Sequence, residues 1–505
     1  MKRIGCTLWI LFLMSLSATV AIAAGKSGVP GKAGAWTAHL LINGRVHQLS
    51  LDTDGAHVNV ESLTSEFPNS FELLGGELQL ALEGTSLQRG KPIDHVVEKI
   101  AYDKYITLRA SNGSDTRTVY IRTLNSLLPD MQSAGESPHA GHYYITTVAT
   151  KTLLKLDGKG ELVYYLRPGA SPTMPVDLTA GDPSTVGAMD PAFWDFKKHV
   201  LRDGKIRYSY HDHNRDYNRL RMSGFGGGER VILDERYREI ARFKLLSPVS
   251  PSIDAVEGHD FILLDDSHYI VSAYEPRMVY NIPTKCGPNP QGSKVVAARL
   301  QEVKQGKVIF DWVSTDHAEL YSLSEAPFND FANVRDQFPD YAHFNSVEID
   351  PADGNLLCSF RNISSIIKID RKTGKILWLL SGAGDQFGLS QEQKTSNQHY
   401  ARLTPNGYLT VFDNNVRNKN TRILKMKLDE KGKRVTDYQE FFAGERFSVV
   451  CGSADNITGN VFVIGWGGSL DGKAVLTEID FTNNKKLFEL SFPKNIHTYR
   501  CAKYE

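Results

Sequence analysis

The chain has 505 residues with 58 basic and 58 acidic side chains, so no basic excess marks it as a nucleic-acid binder. Charged residues at 23% and hydrophobic ones at 41% exclude a disordered or fibrous chain. Its 42 glycines, and aromatic residues at 10%, favour a turn-rich β protein over a helical bundle.

Lys2 and Arg3 precede an uncharged run from Ile4 to Ala24 with an apolar centre at Leu8–Met14. By length the run just reaches a bilayer span. Its second half is rich in Ser, Ala and Thr, and Ala21-Ile22-Ala23 puts small residues at both positions a signal peptidase inspects. The reading is a signal peptide over residues 1–24. The remaining chain is then periplasmic or secreted, with no membrane segment after cleavage. Cys6 lies too early for a lipoprotein cysteine. In an oxidising compartment one or two disulfides are expected among Cys286, Cys358, Cys451 and Cys501, which can pair in three ways. No CxxC motif supports a zinc ribbon or thioredoxin chemistry.

Alternating side chains at Trp36–Ile42, Val46–Leu51, Tyr105–Arg109 and Thr118–Leu124, broken by Gly, Asn and Asp, predict short strands. These form a small N-terminal β-sandwich domain over residues 25–135. The segment Leu128–Pro138 reads as a linker.

Beyond it the sequence repeats. From His343 to Ser381 come strands at Phe344–Ile349, Asn355–Phe360, Ser365–Ile369 and Lys375–Leu380, separated by Asp353-Gly and Lys372-Thr-Gly turns. The same order follows His399, precedes it from His259, and recurs near 450–492. Poorer copies fill 140–169 and 190–247. Four strands per unit at a period of roughly 40–55 residues mark propeller blades. The prediction is all-β, a six-bladed β-propeller over residues 136–505. Seven blades remain open if two units are merged within 170–250. The segment from Thr498 to Tyr504 is expected to add a strand to the first unit and close the ring, which removes unpaired edges.

His259, His343 and His399 each open a repeat, so the ring brings them to one rim of the channel. Antiparallel pairing puts the end of the second strand, where Arg361 stands, on that rim too. Asn345, two residues after His343, points to the same side of its strand. A cluster of imidazoles and one guanidinium, with no serine or thiol nucleophile, suits a small oxyanion. Imidazole serves as nucleophile or as acid and base. A three-histidine zinc or copper site is the rival use, opposed by the fixed charge of Arg361. No metal or cofactor is expected. His211 and His213 are weaker candidates. The glycines from Gly224 to Gly228 lack dinucleotide spacing, and Pro290 stands where a formylglycine sulfatase needs Arg after Cys286-Gly-Pro.

His259-Asp, His343-Phe-Asn-Ser-Val-Glu-Ile-Asp, Ser359-Phe-Arg-Asn-Ile-Ser, Ile369-Asp-Arg-Lys-Thr-Gly-Lys-Ile-Leu-Trp and Gln398-His-Tyr-Ala-Arg resemble bacterial arylsulfate sulfotransferases. The likeness is strongest over about 255–415. It implies an exported six-bladed propeller behind a β-sandwich. The implied reaction moves a sulfuryl group from a phenolic sulfate donor to a phenolic acceptor, in ping-pong fashion and without phosphoadenosine phosphosulfate.

By that resemblance His399 is the nucleophile that becomes sulfated. Arg361, His259 and His343 hold the sulfuryl oxygens, Asn345 adds a hydrogen bond, and His343 or His259 carries the proton. Tyr341, Phe344, Phe387 and Tyr400 are candidates to stack on the phenols. Homodimers occur among related enzymes. The chain departs from the family in two places: residues 362–398 contain no cysteine for the expected loop disulfide, and Phe344 replaces an expected threonine. A non-catalytic propeller that binds an anion or a partner protein, and a histidine metal enzyme, are the alternatives.

Overall fold

Alternation of buried and exposed side chains along short segments, broken by glycine turns, yields an almost wholly β structure. The computed structural model describes residues 36–148, 150–168, 192–213, 227–248, 254–335, 338–469, 472–493 and 496–505. The expected signal peptide lies outside them. The chain divides into Met1–Trp36 and Thr37–Glu505, and every described strand belongs to the second unit. Among the described residues no helix is long and apolar enough to cross a membrane.

Two sheets come first. One orders Arg45–Ser50, Thr37–Ile42, Asn69–Gly75 and Ile93–His95. The other orders His57–Val58, Thr116–Arg122, Tyr105–Ser111, Gln79–Leu82 and Thr85–Ser86. Leu40 and Ile42 in the first, and Ile106, Leu108 and Ile121 in the second, are almost wholly buried, as period-two patterning requires.

Among the described residues six antiparallel sheets follow. The His343 repeat gives Phe344–Ile349, Leu356–Phe360, Ser365–Ile369 and Ile376–Leu380 in that order. The His399 repeat gives His399–Leu403, Tyr408–Asp413, Arg422–Asp429 and Arg434–Phe441. Upstream, Ile262–Asp265, His268–Val279, Ser293–Lys304 and Lys307–Val313 form the His259 sheet. The poorer copy beginning near 190 becomes Phe193–Val200, Ile206–His213, Gly227–Leu233 and Glu239–Phe243. The core lies between successive sheets, as where Phe360 and Ile367 pack with Val296 and Trp312.

The remaining two sheets each borrow strands from afar. Cys501–Tyr504 pairs with His142–Thr147 in register Tyr143↔Lys503 and Ile145↔Cys501, so the C-terminal strand joins the first repeat as expected. On the far side of that sheet, Ser62–Thr64 pairs with Leu162–Leu166. Gln132–Gly135, from the expected linker, pairs with Lys485–Ser491 in the last repeat. Both additions cover a strand edge that would otherwise stand open.

The expectation of disulfides is not met. Cys286, Cys358, Cys451 and Cys501 are all free thiols. Cys358 packs in the core beside Phe360 and Ile367, with Cys286 against the same cluster, Cys501 sits against Ser453 and Thr498, and Cys451 lies beside Trp194 and Tyr499.

Candidate active site

Four sheets begin with the same backbone irregularity. Asp195, His343, Tyr400 and Cys451 have φ of 54°, 53°, 52° and 61°, a left-handed conformation that costs a non-glycine residue about 1–3 kcal/mol. Register shifts accompany three of them, between Trp194 and Lys197, Phe344 and Ser346, and His399 and Arg402. A bulge re-aims the side chains on either side of it, and here the result is convergence.

The imidazoles of His259 and His343 meet edge-to-face at 5.0 Å, and those of His259 and His399 lie 6.3 Å apart, nearly parallel. All three are buried. Arg361 opens a tight turn directly after Leu356–Phe360, and its backbone N–H donates to the His343 carbonyl at 2.8 Å. Its Nη1 donates to Asn362 Oδ1 at 2.8 Å and its Nη2 to the Val449 carbonyl at 3.4 Å. The structure thus brings together the four residues that the repeat alignment singled out. Asn345 is buried alongside; its Nδ2 donates to the Gln398 carbonyl at 2.7 Å, while its Oδ1 meets no donor.

Each imidazole has a distinct partner. His399 Nδ1 faces Asn414 Oδ1 at 2.6 Å, and its Nε2 accepts the backbone N–H of Cys451 at 3.3 Å. His343 Nδ1 pairs with Asp340 Oδ2. His259 Nδ1 pairs with Glu257 Oε2, which also accepts the His259 backbone N–H at 2.7 Å. Burial holds His399 well below the usual imidazole range, with Arg361 and His259 adding to the effect. Burial, then His343 and Arg500, does the same to His259. Burial also pushes the Glu257 carboxyl up to about 7. Both imidazoles are therefore neutral at pH 7, and the His399 Nε2 lone pair is met by the Cys451 N–H at 3.3 Å.

Sequence reading missed several neighbours. Trp194 stacks on Tyr499 at 4.9 Å and on His213 at 5.4 Å, and turns its edge to His259 at 6.0 Å. Tyr274 stacks on His343 at 5.4 Å. Arg500 donates to Asp195 Oδ1 at 3.2 Å and to the Tyr499 hydroxyl at 2.9 Å. The Nε of Arg361, the Nε of Arg500 and the Nε1 of Trp194 are buried donors with no protein partner; each costs about 1–3 kcal/mol while unpaired. Such donors bordering neutral imidazoles suit an incoming oxyanion. Close packing enforces the arrangement, since a Cβ on Gly258 would lie 2.6 Å from the Trp194 ring and 2.8 Å from the His211 ring.

A readable signal existed for some of these. Glu257 and Asp340 stand two and three residues before their histidines, and Asn414 directly follows the second strand of its repeat, as Arg361 does in its own. Trp194 and Arg500 carried no such mark. The four aromatic candidates fall elsewhere: Tyr341 and Phe344 pack in one core, Phe387 in another and Tyr400 in a third. Phe344 and Tyr400 stand at register shifts in their strands, and Tyr341 and Phe387 lie in the segments between strands. Among the described residues no group of three His, Cys, Asp or Glu side chains is placed to hold a metal ion.

Beneath the imidazoles runs a buried charge network. Asp195 accepts from Arg230 at 3.0 Å and from Arg500 at 3.2 Å. Asp260 pairs with Lys197, accepts from Arg402 at 2.8 Å, and accepts the Val347 N–H at 2.8 Å. A separate cavity of about 520 Å³, lined by Lys197, His199, Glu348, Arg402 and Asp455, lies beyond it and includes none of the three histidines.

No curated protein matches the chain. Solved structures with likeness include a nidogen/laminin complex (10% identity, 71% of this chain, 97% of that one, TM-score 0.37). The Cps50 (Swd1) β-propeller domain of Myceliophteria thermophila is similar at 11% identity (71% of this chain, 88% of that one, TM-score 0.34). Dihydro-heme d1 dehydrogenase NirN is similar at 12% identity over 72% of this chain (TM-score 0.31), and the match spans 56% of its length. At these scores the likenesses carry nothing further. A family model described as arylsulfotransferase (ASST) matches residues 214–474. That match takes in more than half of the chain and runs through His259, His343, Arg361 and His399, so the chain belongs to the arylsulfotransferase family.

Proposed function

We propose that the protein moves a sulfuryl group from a phenolic sulfate ester to a phenol in two steps, through a sulfated His399. The observation that supports this best is the state of His399: a buried, neutral ring whose Nδ1 is engaged by Asn414 and whose Nε2 faces only a backbone N–H. In the first step the Nε2 lone pair attacks sulfur, the aryl oxygen–sulfur bond breaks, and the phenolate departs. In the second, the acceptor oxygen attacks the same sulfur and the nitrogen–sulfur electron pair returns to the ring. Negative charge spreads over the sulfuryl oxygens throughout, so Arg361 provides electrostatic stabilisation, with His259 and His343 beside it. Asn345 adds a donor. His343, held by Asp340, protonates the leaving phenolate and deprotonates the acceptor.

In the same reading the six later sheets are the blades of a six-bladed propeller over residues 136–505, preceded by a β-sandwich over 25–135. Residues 1–24 are removed on export to the periplasm or beyond, and the mature enzyme is free to pair as a homodimer.

The test is incubation with p-nitrophenyl sulfate and phenol. Nitrophenolate release, phenyl sulfate formation and a sulfated peptide containing residue 399 are expected. His399→Asn keeps the fold and loses at least about 10⁴-fold in turnover, as removal of a covalent nucleophile does. Folded wild type that releases nothing with a broad acceptor panel overturns the reading.

A further inference from the structure

Asn414 follows the strand Tyr408–Asp413 and is fully buried. Its Nδ2 donates to two carbonyls, Ser448 at 2.8 Å and Cys451 at 3.0 Å. Both amide hydrogens are thereby used, and Oδ1 is left toward His399 Nδ1 at 2.6 Å. The reverse orientation would set the amide oxygen against two carbonyls. An amide oxygen only accepts, so Nδ1 must carry the ring proton and Nε2 must be bare. The surrounding loop is fixed in turn: Ser448 N–H donates to Thr421 Oγ1 at 2.8 Å, and Thr421 Oγ1 donates to the Asn414 carbonyl at 3.2 Å. Gly452 permits the approach, since a Cβ there would lie 2.2 Å from the Phe412 ring.

We propose that Asn414 is a positioning residue for both halves of the reaction, holding the Nδ1 proton on His399 so that Nε2 first attacks sulfur and later leaves it as neutral imidazole. The inference rests on the two-step reading above. When Nε2 bonds to sulfur and the aryl oxygen departs with its electron pair, the ring carries both the sulfuryl group and the Nδ1 proton, and is cationic. Attack by the acceptor oxygen then returns the nitrogen–sulfur pair to a ring that is neutral because its proton never left. An amide is too weak a base to take that proton. A carboxylate in its place would draw the proton away, leave a sulfated ring of lower electrophilicity, and slow discharge.

The full chain and Asn414→Asp are each treated with p-nitrophenyl sulfate alone, freed of donor, and then given phenol. Peptide mass and phenyl sulfate are followed in time. Asn414→Asp is expected to acquire the sulfuryl group on residue 399 but pass it to phenol about 100-fold more slowly than wild type, on the scale of a misplaced catalytic proton. The deficit grows as pH rises and the new carboxyl ionises, which a merely structural role would not produce. Discharge at the wild-type rate at every pH overturns the role of Asn414 and leaves the two-step reading standing. Wild type that never carries the sulfuryl group on His399 overturns both. Should Asn414→Asp fail to fold, the ring tautomer decides. In wild type with isotope-labelled histidine nitrogens, the resonance lost in His399→Asn is expected to show protonated Nδ1 and bare Nε2. The opposite tautomer overturns the inference.

Discussion

The backbone N–H of Arg361 donates to the carbonyl of His343 at 2.8 Å, so the main chains that carry the guanidinium and the imidazole are joined directly, while Asn362 Oδ1 engages the guanidinium and Asp340 the imidazole. Asn362 N–H repeats the bond one residue on, to the Ala342 carbonyl at 3.0 Å, and the Asn362 side chain donates to the Asp340 carbonyl at 2.6 Å. A cation tied down in this way needs no reorganisation when negative charge develops beside it, and that is the condition for strong electrostatic catalysis.

Arg361→Lys keeps the charge and loses the planar fork. Lysine presents a point charge that cannot reproduce two aligned donors. The expected result is a fall in kcat/KM for p-nitrophenyl sulfate of about 10²–10³-fold, the scale for losing one oxyanion donor. Thermal stability should change little. Steady-state kinetics with a melting curve checks both.

Asp340→Asn removes the carboxylate that faces His343 Nδ1. If His343 carries the proton, the loss should depend on the leaving group. With p-nitrophenyl sulfate, whose phenolate needs little help, the effect should be small. With phenyl sulfate as donor the loss should approach about 10²-fold, the lower range for general acid catalysis. A parallel drop for both donors would assign Asp340 to structure alone.

Burial holds His399 well below the ordinary imidazole value, so its lone pair remains available as the solution turns mildly acidic. The first half-reaction with p-nitrophenyl sulfate should therefore show no loss of kcat/KM from protonation of His399 between pH 7 and pH 6, around the ordinary value of about 6.5. Glu257 behaves in the opposite sense. Its folded value is raised to about 7, above the ordinary value near 4.3. Its contribution to stability is fully present below about pH 4.3 and is lost as pH rises through about 7. Glu257→Gln should abolish that part of the pH dependence, as measured by denaturant unfolding at pH 5 and pH 8.

Asp260 is the charge most tightly embedded. Burial alone would raise its carboxyl, but Arg402, Lys197 and Arg500 together hold it well below the usual range. Its contribution is present above about pH 4 and is lost only as pH falls further, through the folded value. Asp260→Asn removes the counter-charge that Lys197 and Arg402 share, leaves Lys197 with Asp195 at 3.5 Å, and should cost about 3–5 kcal/mol. Urea unfolding checks the value, and a change under about 1 kcal/mol would mean that the network relaxes around the substitution.

Much of this was legible along the chain. The strands of the His343 repeat fall within a residue of their predicted bounds, because Asp353-Gly and Lys372-Thr-Gly turns punctuate an alternating pattern. The three histidines and Arg361 were readable for the same reason, since repetition assigns each to a known place on its strand. The bulges were not readable. A left-handed residue at His343 or Tyr400 leaves no periodic trace, so Phe344 and Tyr400 read as site residues although they pack between sheets. Disulfides were expected from compartment alone, and only the fold decides which thiols can meet.

By itself the sequence determined the repeat, the strand order within each repeat, and the residue types available at each strand start, because these depend on local alternation and turn chemistry. The tertiary structure alone decided which partners those residues meet. Trp194, Tyr499 and Arg500 come from distant segments to border His259, and the carbonyls of Ser448 and Cys451 orient the Asn414 amide so that its oxygen faces His399. Such contacts join residues far apart in sequence, where packing and hydrogen-bond satisfaction prevail over any local preference.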